Sequence, residues 1–121
     1  MSALQTPFQP EYIVDASMLA DVQGEWLDCD TVVAIAFHVE WSAFAATDGT
    51  LSIEGTNDPT QTKFQALTIN VSHGTFPTAG ATAAGAIVIL QNPPRFVRLK
   101  YTRTAGGTTG QMNAWVEARY A

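Results

Sequence analysis

Cysteine occurs once in these 121 residues, so no internal disulfide is possible and burial and hydrogen bonds must hold the fold, as suits a reducing compartment. That thiol, Cys29, reads as a small core residue, because no base stands near it in sequence to activate it. Charge is scarce too: Asp, Glu, Lys and Arg make up 14% of the chain, against about 25% in an average globular protein. A surface so poor in charge points to one partly covered by other protein, although Thr, Ser, Asn and Gln also keep a surface wet.

Basic residues are missing altogether from the first 60 positions, which hold ten carboxylates (Glu11, Asp15, Asp21, Glu25, Asp28, Asp30, Glu40, Asp48, Glu54, Asp58). Residues 61–121 hold all six bases, Lys63, Arg95, Arg98, Lys100, Arg103 and Arg119, against one acid, Glu117, so the halves carry −10 and +5. A net charge of −5 argues against nucleic acid or an anionic membrane as the main partner. The asymmetry has two readings. Either the charges interleave across neighbouring strands of one subunit, or an acidic face meets a basic face between subunits, as in a ring or shell.

Long hydrophobic runs are absent as well. The most apolar stretch, Val32 to Phe37, has a strand's length and falls far short of the roughly 20 residues of a membrane span. The opening MSALQTPFQP has neither a basic n-region nor an apolar run, so no secretory leader is expected, and Asn70-Val71-Ser72 reads as a chance match to the glycosylation acceptor.

Patterns that carry chemistry are also missing. The two histidines, His38 and His73, stand in no zinc or triad spacing. Asp28-x-Asp30, Asp48-Gly49 and Asn57-Asp58 offer the oxygen ligands calcium takes, but none follows the twelve-residue calcium loop, and Asx beside Gly or Pro forms turns without any ion. Ala105-Gly106-Gly107-Thr108 joins strand to strand, so it lacks the helix N-terminus of a phosphate loop. No catalytic, cofactor-binding or metal-ligating residue is expected, and the chain does not read as an enzyme.

What the sequence does hold is strands. In Pro94 to Thr104, Val97, Leu99 and Tyr101 alternate with Phe96, Arg98, Lys100 and Thr102, the period of a half-buried strand. After the glycine-rich Ala105–Gly110, Met112, Ala114, Val116 and Ala118 alternate with Asn113, Trp115, Glu117 and Arg119, which predicts a hairpin over residues 94–121. Thr31 to Ala46 predicts a central strand with Val33, Ile35, Phe37, Val39 and Trp41 on one face, paired as a second hairpin with Leu51 to Gly55. Further strands are expected over 24–28, 64–71 and 86–90, with a loop or flat edge over 72–85; residues 12–18 read as a strand (Tyr12, Val14 and Ala16 on one face) or a short helix continuing to Val22, and the β-branched Ile13 and Val14 with Asp15 and Ser17 favour the strand. About eight strands without a long helix predict an all-β fold, an antiparallel β-sandwich or jelly roll over 11–121, preceded by an extended arm over 1–10.

One order of segments carries a resemblance: Gly24-Glu25-Trp26-Leu27-Asp28, a hydrophobic strand ending in Glu40-Trp41, then Asp48-Gly49-Thr50-Leu51-Ser52-Ile53-Glu54-Gly55-Thr56-Asn57-Asp58, then Arg95-Phe96-Val97-Arg98-Leu99-Lys100-Tyr101 and a Gly-Thr-rich turn. Together they resemble small β-sandwich structural proteins of tailed bacteriophage particles, the decoration, head and tail components. The likeness spans most of residues 24–118; it departs at Thr56, where serine is commoner, and at the Ala-rich 79–86. The resemblance implies a non-enzymatic building block of the virion, assembled in the host cytoplasm without a cofactor, that binds copies of itself and other virion proteins. The candidate contact residues are Phe8 in the arm, Arg95, Arg98, Lys100 and Arg103 on a basic strand that meets an acidic face, and Trp115. The alternative is a carbohydrate- or host-receptor-binding module in which a glycan stacks on Trp115 beside Asn113, read out as a shift of Trp fluorescence with oligosaccharides.

Overall fold

A computed structural model describes residues 11–42, 49–74, 83–103 and 110–121, with residues 49, 70–74, 83 and 84 described by their backbone alone. The arm with Phe8, half of the expected turn at 47–50 and most of that at 105–110 lie outside these residues. The strands are β1 (Glu11–Ser17), β2 (Val22–Gln23), β3 (Leu27–Asp28), β4 (Val32–Ser42) and β5 (Gly49–Thr56). They continue with β6 (Gln65–Ala66), β7 (Asn70–Gly74), β8 (Ala83–Gln91), β9 (Phe96–Arg103) and β10 (Gln111–Tyr120). No helix occurs among the described residues.

Two antiparallel sheets form a β-sandwich. The first has the order β1-β10-β4-β8-β7; the second has β2-β9-β5-β6, with β3 also on β9. Ten strands stand among the described residues where about eight were expected. The expected strand 24–28 shortens to β3, a further strand, β2, lies before Gly24, and the expected strand 64–71 divides into β6 in the second sheet and β7 in the first.

Both expected hairpins are absent. β10 pairs with β4 from Met112↔Trp41 to Tyr120↔Val32, and with β1 on its other side, whereas β9 pairs with β5 in the opposite sheet. β4 and β5 likewise lie in different sheets. The physical reason is burial: β9 and β10 each have an apolar face, and in opposite sheets these faces close on each other across one core. The alternation of each strand was right, its partner was not.

The core holds Ile35, Phe37, Val39, Trp41, Met112, Ala114 and Val116 from the first sheet against Leu51, Ile53, Val97, Leu99 and Tyr101 from the second. Cys29 lies in it, as expected. Two bulges correct the expected faces. A register shift between Arg119 and Tyr120 makes Val33 an extra residue of β4, so Val32 turns into the core and Val33 is 39% exposed. In β1, two shifts and a positive φ of 47° at Asp15 break the alternation, so Tyr12 and Ala16 pack on the core while Val14 is 58% exposed.

Candidate functional site

The two sheets differ in what covers their outward faces. On the second sheet, β9 pairs Arg98 directly opposite Glu54 of β5, both on the outward side of their strands. Arg98 Nε donates to Glu54 Oε1 at 2.8 Å, with the two side chains only 11% and 13% exposed. The guanidinium carbon lies 4.2 Å from the ring centre of Trp26 and 4.7 Å from that of Phe64, and the two rings meet edge to face at 5.7 Å, so the cation packs into the corner they form. With its amide oxygen turned inward, Gln23 accepts from Nη1 and Nη2 at 3.2 and 3.0 Å. The chain therefore covers Arg98 with its own side chains, while Phe64 stays 39% exposed at the edge of the cluster.

Phe64 reaches Arg98 because the loop before it is fastened at Asp58. That carboxylate accepts from the N–H of Thr60 (2.9 Å), Thr62 (3.1 Å) and Lys63 (3.2 Å) and from both threonine hydroxyls. Asn57 Oδ1 accepts the Arg95 N–H at 2.9 Å and ties the loop to the start of β9. The backbone N–H of Thr60, then its hydroxyl, then Thr62, hold the Asp58 carboxyl well below the ordinary carboxylate range. Since the folded value is depressed, the fastening is complete above the unfolded value of about 3.9 and is lost as pH falls through the lower folded value. The amide signals of Thr60, Thr62 and Lys63, followed by NMR against pH, are expected to move together with a midpoint well under the ordinary value. A midpoint at the ordinary value would remove Asp58 as the fastener.

The first sheet presents a different face. Across β10, β4 and β8 the outward residues fall into rows: Arg119, Ala34 and Gln91; then Glu117, Ala36 and Ile89; then Trp115, His38 and Ile87; then Asn113, Glu40 and Gly85. The last two rows are tied together. His38 Nε2 lies 3.1 Å from Glu40 Oε2, the His38 and Trp115 rings sit 5.1 Å apart, and Asn113 Oδ1 accepts the Asp15 N–H at 2.8 Å. The first two rows stay open. Their small Ala34 and Ala36 floor a hollow of about 440 Å³ between Val33, Ile89, Glu117 and Arg119. Ile89 is 37% exposed, and neither Glu117 nor Arg119 has an ion-pair partner among the described residues.

Of the residues expected to make contacts, Arg98 is spent inside the molecule. Arg95 lies 3.8 Å from Asp28 and over the ring of Phe96, while the backbone N–H of Arg103 donates to Asp21 at 2.7 Å. Lys100 is half-buried opposite Ser52, and Trp115 is half-buried against His38. Both ion pairs of lysine or arginine seen among the described residues join an acid of the first half to a base of the second, the interleaved arrangement within one subunit. Trp26, Phe64 and Glu54 as partners of Arg98 escaped sequence reasoning. Their only signal was the outward position of Glu54 and Arg98 in their own alternations, since nothing in sequence sets the register between β5 and β9.

Chemistry beyond binding has little to stand on. Burial, and then the neighbouring Asp28 carboxylate, push the Cys29 thiol up to about 12, so it stays protonated and unreactive. Among the described residues no group of three or more His, Cys, Asp or Glu is placed to hold a metal ion, and no helix is long and apolar enough to cross a membrane. No protein-family model, curated protein or solved structure matches this chain.

Proposed function

We propose that this chain is a non-enzymatic structural component of a tailed bacteriophage particle, a decoration, head or tail protein that acts through contacts with copies of itself and with other virion proteins. The observation that carries the reading is the contrast between the two outward faces. One carries the chain's own Arg98 cluster at its centre, and the other leaves Val33, Ala34, Ala36 and Ile89 open between Glu117 and Arg119, which have no ion-pair partner among the described residues. A rigid sandwich with one such face suits a building block whose contacts lie on its surface rather than in a reaction cleft. The segment order that resembles phage structural proteins supports the same reading, as does the low charge content of 14%.

The test is the protein content of purified particles from cells producing the phage that encodes the chain. Quantitative mass spectrometry is expected to find it in a fixed, multiple copy number per particle that survives density-gradient purification. Its confinement to the soluble host fraction would overturn the assignment.

A further inference from the structure

The open rows of the first sheet have a symmetry of their own. Glu117 and Arg119 are alternate residues of β10 and project from the same face, one beside Ala36 and the other beside Ala34. Consider a second copy placed face to face about a two-fold axis that lies between the molecules and runs across the strands at the level of Ala118. Strand direction reverses, so each row falls on the other: Glu117 meets Arg119 of the second copy, Ala36 meets its Ala34, and Ile89 meets its Gln91. Two opposite-charge pairs form at once. The alanines between them let the two sheets approach closely, and the Val33 bulge, which turns an apolar side chain outward at the end of this face, supplies contact area.

We propose that the outward face of β10, β4 and β8 is an isologous interface between two copies of this chain, with the reciprocal Glu117–Arg119 pairs setting its register. This deepens the reading of the chain as a self-associating building block and rests on it. A second copy is favoured over an unrelated partner because a surface carrying one acid and one base on alternate residues of one strand is complementary to itself. An acidic or a basic partner would leave one of the two unpaired. Centred at Ala118, the overlap is three strands wide and runs about three residues to either side, a projected area on the order of 300 Å² per copy, below the standard size of a specific interface, so weak association toward the upper end of the tested concentrations is expected.

The experiment is sedimentation equilibrium of the full chain over about 1 μM to 1 mM. The wild type is expected to pass from 13.0 kDa to twice that mass with rising concentration. Glu117→Arg and Arg119→Glu each set two like charges against each other and are expected to weaken association about tenfold or more. The double variant Glu117→Arg/Arg119→Glu restores both pairs with signs exchanged and is expected to dimerise like the wild type, which also shows that the substitutions leave the fold intact. A monomer at every concentration overturns the proposal. So does a dimer indifferent to the single reversals, or a double variant no better than the singles. None of these results bears on whether the chain is found in particles, so the interface can fail while the virion assignment stands.

Discussion

Arg98→Ala is expected to cost about 3 kcal/mol of folding free energy, read as a lower urea midpoint with an unchanged slope. Three losses add. Glu54, only 13% exposed, keeps its charge without its partner, and a buried carboxylate left alone is far costlier than the pair was favourable. Trp26 and Phe64 lose the cation packed against both, each contact being worth about 0.5 to 2 kcal/mol depending on how dry it is. The space left under Phe64 also loosens the strip where the 57–63 loop returns to β6. Arg98→Lys is expected to fall between, because an ammonium cannot stack its plane on these rings and still reach both Glu54 and Gln23.

The decisive comparison is the pair removed together. Arg98→Met with Glu54→Leu deletes the ion pair while keeping an apolar side chain against the two rings, and is expected to recover most of the loss. If the double replacement is as unstable as Arg98→Ala alone, the orphaned carboxylate is not the main cost, and the cation on the rings carries the effect. If Arg98→Ala costs under about 1 kcal/mol, the cluster behaves as an ordinary surface pair.

Arg98 also shows how far the sequence could be read. Its strand, its outward parity and its place opposite Val97 and Leu99 were all legible from alternation, since a pleated strand sends successive side chains to opposite faces. Alternation does not name the partner. From Arg103 to Gln111 eight links span at most about 26 to 29 Å, while facing sheets stand about 10 Å apart, so this connection crosses the core as easily as it turns within a sheet. The same ambiguity governs Ser42 to Gly49. Nothing in the sequence marked the crossing; the burial of the outward Phe96 and Arg98 in β9 appears only in the structure. The open face of the first sheet was half legible. Asn113, Trp115, Glu117 and Arg119 shared a face by parity, but Ala34, Ala36 and Ile89 join them only through the register of β4 with β10 and β8, and Val33 joins only through a bulge.

A second large effect is expected where β2 and β3 part. Between Gln23 on Lys100 and Leu27 on Val97, the ladder on β9 is interrupted, and Tyr12 of the opposite sheet fills the break. Its hydroxyl donates to the Glu25 carbonyl at 2.6 Å and accepts from the Leu99 N–H at 3.3 Å, while its ring meets Phe37 edge to face at 6.0 Å. Burial pushes this phenol well above its ordinary value, so it keeps the proton it donates. Gly24, whose N–H donates to the Leu99 carbonyl at 2.9 Å, lies so close that an added Cβ would stand 2.1 Å from the Tyr12 oxygen. The ring cannot yield without leaving Glu25 and Leu99 unpaired, and Gly24 cannot retreat without breaking its own bond to β9. Gly24→Ala is therefore expected to cost about 2 to 3 kcal/mol, the upper range for overpacking a fixed neighbour. In a Tyr12→Ala background the obstacle is gone, and the same Gly24→Ala change is expected to cost under about 1 kcal/mol, no more than a glycine replacement at an unobstructed site. This double-mutant cycle isolates the contact, because each substitution acts on the same few cubic ångströms. Additive costs would mean that Gly24 is required for its backbone rather than for the ring beside it, and that Tyr12 is not the side chain that bridges the two sheets at this edge.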